Sequence, residues 1–215
     1  MYLNPESDID KIIVIVDYGV GNLASVQNML NKAGRKTTIS KDPQEILKAE
    51  KLILPGVGHY DHAMKMLNQS GLRDSLDIFA LDLCRPVLGI CLGAQILGFN
   101  SDEGNMPGLG WINMNCRRFS PSAELRVPHM GWNQVYLRRT SPLFANADID
   151  ARYYFVHSFY MECTEASDIV GTSFHGSEFT CAVNRNNIFG IQFHPEKSLK
   201  HGLALMRAFA KIQSS

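Results

Sequence analysis

The segment from Pro86 to Gln95 constrains the fold most, because this apolar run passes through Gly89, Cys91 and Gly93 into a helical pattern. A strand that turns abruptly into a helix strains its apex residue, and side chains two positions away on either side would collide. Glycines at those two places remove the collisions. The pattern predicts a nucleophile elbow that presents the Cys91 sulfur at a helix N-terminus, where the dipole favours the thiolate. The alternative is a buried core cysteine beside packing glycines.

A second feature lies near the C-terminal end, where the apolar run Phe189–Phe193 leads into His194 and Glu196. Residues two apart in an extended segment project to the same side, so this imidazole and carboxylate are expected to emerge together. His194 would then take the thiol proton from Cys91, and Glu196 would hold the imidazole tautomer. Alone, His-Pro-Glu is typical of an ordinary turn. Together with a cysteine elbow it favours a catalytic triad.

A third motif is the apolar strand that runs from Leu52 into Gly56, Val57 and Gly58. Glycines on both sides of Val57 allow a peptide plane to rotate. One backbone N–H there and that of Leu92 are expected to form an oxyanion hole, in which each donor typically contributes about 2.7–4 kcal/mol to the transition state. The alternative is a plain turn from strand to loop.

Composition favours a compact enzyme. The chain has 215 residues, 45% of them hydrophobic, which suits a single domain with a sizeable core. Lys plus Arg and Asp plus Glu number 21 each, so charge indicates neither nucleic acid nor an anionic membrane as a partner. Five cysteines without a C-x-x-C pair indicate a reducing cytoplasm. Residues 1–10 are acidic and predict a poorly ordered extension rather than a secretory signal, and no apolar stretch is long enough to span a bilayer.

Short apolar strands alternate with helical patterns, which predicts an α/β fold with a central, mostly parallel (mixed) sheet flanked by helices. Strands are predicted at Ile12–Val16, Lys36–Ser40, Lys51–Leu54 and before Cys91, and helices near Asn22–Ala33, Tyr60–Asn68, Leu72–Leu83 and Leu199–Ile212. The later segments Tyr153–Met161 and Thr180–Phe193 are expected to add mixed or antiparallel strands to the same sheet.

The elbow, the Pro-Gly-Val-Gly strand and the late His-Pro-Glu together resemble class I (triad-type) glutamine amidotransferases, over nearly the whole chain. Members of this family hydrolyse L-glutamine to glutamate and deliver ammonia to a partner active site. The resemblance implies a flavodoxin-like fold. Within the family, four segments are similar to glutaminase subunits of imidazole glycerol phosphate synthase in histidine biosynthesis: Asp17–Leu23, Pro128–Asn133, Tyr154–Ser158 and His194–Ser198.

The resemblance also implies roles for further residues. Glu103 would receive the α-amino group of L-glutamine, and the rest of the substrate site would comprise Gly56, Gly58, Gln95, His157, Ser158 and Phe159. His157 lies in an aromatic strand and is expected to form a pocket wall or part of the core rather than to transfer protons. The ammonia exit, facing a (β/α)8 barrel cyclase in a heterodimer, would be flanked by Asn22, Trp132, Tyr154 and Lys197. The alternative for Trp132 is a core aromatic.

Three other functions stay open from the sequence. Similar paralogues supply ammonia to amidotransferases that act on nucleotide-linked sugars for surface polysaccharide (LPS or O-antigen). A free-standing γ-glutamyl hydrolase would share the elbow and the late histidine, and a non-catalytic binding subunit would share the fold. No cofactor is expected. No metal site is expected either, because four of the remaining histidines have no companions at ligand spacing: His59, His62, His175 and His201.

Overall fold

The structure, a computed structural model, describes residues 12–121 and 125–213. The extension predicted for residues 1–10 lies outside these ranges. The helices are α1 (Leu23–Lys32), α2 (Pro43–Lys48), α3 (Tyr60–Gln69), α4 (Arg73–Asp77), α5 (Leu92–Gln95) and α6 (Leu199–Lys211). The strands are β1 (Ile13–Val16), β2 (Thr37–Ser40), β3 (Lys51–Gly56), β4 (Val87–Cys91), β5 (Asn100–Ser101), β6 (Met114–Arg118), β7 (His129–Gln134), β8 (Tyr136–Leu137), β9 (Arg152–His157), β10 (Phe159–Cys163), β11 (Ile169–His175), β12 (Ser177–Arg185) and β13 (Ile188–Ile191).

Most of these strands form one mixed sheet in the order β2-β1-β3-β4-β13-β12-β10-β6-β5, with β11 and β8 attached beside β12. The first five strands in this order are parallel to one another and form the parallel half of the sheet: β2, β1, β3, β4 and β13. Their residues alternate between two cores: Ile13 and Ile15 pack with α1 and α6, whereas Val14 and Val16 pack with α2, α3 and α4. Burial on both faces explains the continuous apolar runs and confirms the predicted α/β class.

The expectation that Tyr153–Met161 adds strands to the main sheet was wrong for its first part. The segment is interrupted at Ser158, and β9 pairs antiparallel with β7 in a separate two-stranded sheet. Only its second part, in β10, joins the large sheet. The expectation for Thr180–Phe193 is confirmed: it is a hairpin of β12 and β13 in the large sheet that turns at Asn186, a residue with a φ of 53°.

Two helices also differ from the prediction. The helical pattern over Leu72–Leu83 is α4 followed by a π-helical turn at Ile78–Asp82, and α2 was not predicted. Helix α2 has an N-terminal signal, since Asp42 caps it and Pro43 occupies its first turn.

Adjacent strands bring the three sequence motifs together. Strand β4 lies between β3 and β13, with Gly56 opposite Cys91 and Ile191 opposite Ile90. Because these three strands are parallel, their carboxyl ends open at one edge of the sheet, where ligands of such folds bind. The elbow, the loop after β3 and the residues after β13 therefore meet at this edge.

Candidate active site

Cys91 ends β4 and caps α5 with φ 56° and ψ −112°, a conformation that L-residues rarely adopt. Such strain costs on the order of 1–3 kcal/mol and is tolerated where the surroundings enforce it. The surroundings are close: a Cβ on Gly93 would lie 1.7 Å from the Leu54 carbonyl oxygen, and a Cβ on Gly89 would lie 2.5 Å from the Gly93 oxygen. The predicted reason for both glycines is confirmed. Helix α5 has only four residues, so its dipole contributes less than the sequence pattern suggested.

His194 and Glu196 form a buried polar pair beside Cys91. Nδ1 of His194 donates to Oε1 of Glu196 over 2.8 Å, and both side chains are 4% exposed. The His194 backbone N–H donates to the Tyr154 carbonyl, and the Ser198 hydroxyl donates to the His194 carbonyl, which fixes the ring's position. Burial lowers the pKa of His194, but interactions with Cys91 and Glu196 outweigh it and raise the pKa to about 10. These partners favour the protonated ring, and a cation beside a cysteine favours the anionic sulfur.

A cavity of about 320 Å³ opens in front of these groups. It is lined by Val57, Gly58, Cys91, Leu92, Gln95, Glu103, Pro128, Val156, His157, Ser158, Phe159, His194 and Lys197. The structure thus brings together most of the catalytic and substrate residues that the sequence suggested. Gly56 and Glu196 are not part of the lining. A Cβ on Gly56 would lie 2.6 Å from the Gly93 nitrogen, so the glycine allows β3 to approach the elbow. Val57 is 44% exposed at the cavity, and Gly58 has a φ of 102°.

Glu103 reaches the cavity from a loop that is clamped to α3. Its Oε2 accepts a hydrogen bond from the Tyr60 backbone N–H over 2.8 Å. In return, Oδ1 of Asp61 accepts from the backbone N–H groups of Asn105 and Met106, each over 2.9 Å. The bonds from Met106 and Asn105 hold the pKa of Asp61 below its usual range. These hydrogen bonds hold the loop with Glu103 against the first turn of α3, which follows the Val57 loop.

His157 forms part of the cavity wall and is held neutral. Its Nδ1 donates to the Phe159 carbonyl over 2.7 Å, so its Nε2 is the acceptor for Nδ1 of His129 over 3.0 Å. Burial lowers the pKa of His157 to about 3, and burial together with His175 lowers that of His129 to about 4. A neutral ring that already donates to a carbonyl suits a wall rather than a base, as the sequence suggested.

Gln192 is a residue that the sequence reasoning missed. It is fully buried, and its Nε2 lies 3.7 Å from the Cys91 sulfur, while its Oε1 accepts from Nε2 of Gln95 over 3.0 Å. A signal was available, because Gln192 precedes His194 by two positions and extended residues two apart share a side.

Three of the four residues assigned to the ammonia exit form one cluster. The rings of Trp132 and Tyr154, opposite each other in β7 and β9, are T-shaped with centroids 6.1 Å apart. Lys197 Nζ lies 5.5 Å from the Tyr154 ring centroid. Trp132 is 43% exposed, so the alternative of a core aromatic is wrong. Asn22 is exposed and caps α1 by accepting from the Ser25 N–H.

All five cysteines are free thiols. Within residues 12–121 and 125–213, no group of three or more His, Cys, Asp or Glu side chains is arranged to hold a metal ion. In the same ranges, no helix combines the length and the apolar character needed to cross a bilayer.

Comparison with solved structures shows the same fold. PurLQS from Thermotoga maritima matches with a TM-score of 0.73 at 18% identity, covering 93% of this chain and 97% of that chain. A glutamine amidotransferase from Thermotoga maritima matches with a TM-score of 0.64 at 14% identity, covering 94% and 96%.

Relatives in sequence are considerably closer. Imidazole glycerol phosphate synthase subunit HisH 2 of Pseudomonas aeruginosa is 48% identical over 201 residues, covering 94% of this chain and 100% of that protein. Subunit HisH of Leptospira interrogans is 46% identical, with 94% and 100% covered. Subunit HisH 2 of Methanococcus maripaludis is 46% identical, with 93% and 99% covered. The model of the family described as glutamine amidotransferase class-I matches residues 14–212. The chain therefore belongs to the class I glutamine amidotransferase family.

Proposed function

We propose that this chain hydrolyses L-glutamine to glutamate and ammonia as the glutaminase subunit of an imidazole glycerol phosphate synthase in histidine biosynthesis. Relatives named as HisH subunits match it over almost their full lengths, which supports this assignment. The single observation that carries the chemistry is the meeting of Cys91, the His194–Glu196 pair and the Val57 loop at one cavity. This is the arrangement that acyl transfer requires: a nucleophile, an oriented base and backbone donors.

In this proposal, the Cys91 thiolate attacks the side-chain amide carbon of glutamine, and the carbonyl oxygen becomes an oxyanion held by the N–H groups of Val57 and Leu92. The His194 imidazolium gives its proton to the amide nitrogen, the carbon–nitrogen bond breaks, and ammonia leaves a thioester behind. His194 then takes a proton from water, whose oxygen attacks the thioester. The carbon–sulfur bond breaks, which restores the thiolate and the imidazolium and releases glutamate, while Glu196 holds the ring throughout.

Substrate recognition is proposed to rest on the opposite end of the cavity. The Glu103 carboxylate would pair with the α-ammonium of glutamine, while Gln95 and the backbone of Ser158 and Phe159 would face its α-carboxylate side. Gly58 would line the glutamine cavity next to Val57. A cavity of about 320 Å³ suits one amino acid, since larger ligands occupy up to about 1,000 Å³.

The synthase subunit that receives the ammonia is proposed to be a (β/α)8 barrel cyclase, bound as a heterodimer in the cytoplasm. Three large apolar or aromatic side chains are exposed on β7 and at the cavity: Met130, Trp132 and Val57. Lys197 lines the cavity and also stacks on Tyr154, so it would lie between the chemistry and the partner. Trp and Tyr supply large contact areas at interfaces, which supports an anchor role for this cluster.

Replacing the nucleophile tests the chemistry. Cys91→Ala and Cys91→Ser are expected to abolish glutamate release while leaving the fold and partner binding intact, because neither side chain is an activated nucleophile. Cys84→Ala is the matched control, since this thiol is exposed and does not line the cavity. Turnover that persists in Cys91→Ala would refute the assignment.

Identification of the partner tests the pathway. Folded Cys91→Ala protein can be used to capture the partner from the native cell, with mass spectrometry to identify it. A barrel cyclase supports the histidine pathway. An ATP-dependent sugar amidotransferase would instead assign the chain to surface polysaccharide synthesis. Full activity of the chain alone, with no partner effect, would indicate a free-standing γ-glutamyl hydrolase.

A further inference from the structure

The environment of the Cys91 sulfur contains a second polar side chain besides His194. Gln192 follows β13 and reaches the elbow from the same strand end as His194, with its Nε2 3.7 Å from Sγ. A nitrogen to sulfur distance of this length is compatible with a hydrogen bond to the large sulfur atom. Gln192 is completely buried, and a buried amide is kept where its hydrogen bonds are made.

The surrounding network decides which end of the Gln192 amide faces the sulfur. Gln95 Nε2 lies 3.2 Å from the Phe159 carbonyl, which can only accept, so that end of Gln95 must be its NH2 group. The same nitrogen lies 3.0 Å from Oε1 of Gln192, which must therefore be the oxygen. It follows that the NH2 group of Gln192 points at Cys91.

The Phe159 carbonyl is itself fixed from its other side. His157 donates to it through Nδ1, and His157 in turn accepts from His129. Nδ2 of Asn133 lies 3.3 Å from Nε2 of His129 and also donates to the Phe174 carbonyl, so the amide end of Asn133 is assigned as well. Every donor and acceptor in the series from Asn133 to Cys91 is consistent with neutral histidines. Reversing the Gln192 amide would place two donors or two acceptors face to face.

We propose that Gln192 is a further catalytic residue, whose side-chain N–H donates to the Cys91 sulfur and stabilises the thiolate. The proposal rests on the proposed function, in which the sulfur is anionic before it attacks glutamine and again when it leaves the thioester. His194 gains and loses a proton during that cycle. An amide N–H keeps its donor in every step, so Gln192 supports the sulfur beside the His194 imidazolium both when the thiolate attacks glutamine and when it leaves the thioester.

The ionisation of Cys91 can be measured without glutamine. Rates of Cys91 alkylation by iodoacetamide are recorded across pH in a Cys84→Ser background, with peptide mass spectrometry to assign the modified thiol. Gln192→Met has a side chain of similar length and no hydrogen-bond donor. In this variant the pH of half-maximal alkylation is expected to rise by about one unit, so that the thiolate fraction at any pH well below this midpoint is about tenfold smaller. In Gln192→Glu the rise is expected to be larger, because a carboxylate would face the sulfur.

The control separates this role from a merely structural one. Asn184→Leu removes buried hydrogen bonds to Asn186 and Ile188, which lie in the β12–β13 hairpin, and is expected to lower the melting temperature without moving the alkylation profile. An unchanged profile in folded Gln192→Met and Gln192→Glu, judged by near-UV circular dichroism, would overturn the proposal. Failure of Cys91 as the nucleophile would appear separately, as glutamine turnover by Cys91→Ala.

Discussion

The carboxylate of Asp61 occupies the space in which a side chain on residue 104 would begin, since a Cβ on Gly104 would lie 1.9 Å from Oδ1 of Asp61. This contact lets the carboxylate reach the N–H groups of Asn105 and Met106. It also ties the loop that carries Glu103 to the helix that begins just after the Val57 loop. Asp61 is therefore placed to position two parts of the cavity without facing the substrate itself.

Asp61→Ala is expected to raise the KM for glutamine by on the order of tenfold and to change kcat less. The reason is that two backbone N–H groups lose their acceptor, so Glu103 loses its fixed position. Asp61→Asn keeps an acceptor oxygen and is expected to recover most of the affinity. Steady-state glutamate release with the partner present gives both constants. Equal KM values in wild type and Asp61→Ala would contradict this positioning role.

Glu196→Gln is expected to lower kcat by on the order of 100-fold, a milder loss than in Cys91→Ala. The replacement keeps the shape of the side chain but cannot stabilise the imidazolium, so the pKa of His194 should fall as well. A pH profile of glutamine turnover measures both effects. Wild-type activity in Glu196→Gln would remove this residue from the triad.

Stability is expected to fall on acidification because of His157 and His129. Both pKa values are lowered in the folded state, to about 3 and about 4, whereas an unfolded histidine titrates near pH 6.5. Between pH 6.5 and these values the unfolded chain binds more protons, so the free energy of unfolding decreases as the pH falls.

Urea denaturation at a series of pH values measures this dependence. His129→Phe retains an aromatic ring between Phe155 and His175, on which His129 stacks. This variant should be less stable at neutral pH, because His157 loses its donor, yet it should lose less stability between pH 6.5 and 4.5. An unchanged slope would show that His129 is not held neutral in the fold.

The isolated chain is expected to be a poor glutaminase that the synthase partner and its ligand activate strongly. A peptide flip beside Val57 would exchange a carbonyl for an N–H at the nucleophile, and only the latter completes the oxyanion hole. A few kcal/mol of differential partner binding then changes the rate by orders of magnitude. Glutamate release with and without partner and ligand tests this expectation, and constant full activity would contradict it.

Gly58 offers a sharper version of the same experiment. It has a φ of 102°, and a Cβ there would meet no atom within 4 Å, so Gly58→Ala changes backbone freedom without overpacking. Gly71→Ala is the matched control, because Gly71 has a φ of 72° and equally open space away from the cavity lining. Both variants should lose similar stability. Only Gly58→Ala should lose partner stimulation.

Local signals were sufficient for some parts of the site. The glycine spacing around Cys91 and the two-residue spacing of His194 and Glu196 describe geometry within a few residues, and both predictions of proximity are confirmed. The break at Ser158 was not visible, because apolar and aromatic residues continue across it. The catalytic, substrate and interface roles, and the single domain, stay predictions that the experiments above address.

Contacts between distant parts of the chain could not be read from sequence. The hydrogen bonds between Asp61 and the Glu103 loop join residues more than forty positions apart, and the local sequence of neither segment predicts this contact. Gln192 had a local signal in its spacing from His194. Its role still depends on Gln95 in α5 and Phe159 in β10, which the fold brings to it from other elements.

The place of β13 in the sheet has a consequence for the newly made protein. Among the strands that the structure describes, β13 is the last in chain order, yet it lies between β4 and β12 and joins the parallel half of the sheet to the antiparallel half. Until it inserts, the two halves have no shared ladder, and His194 has no fixed position beside Cys91. In the proposed mechanism, a growing chain therefore carries Cys91 for about a hundred residues of synthesis before His194 can act on it, and glutamine hydrolysis becomes possible only when β13 has joined the two halves of the sheet.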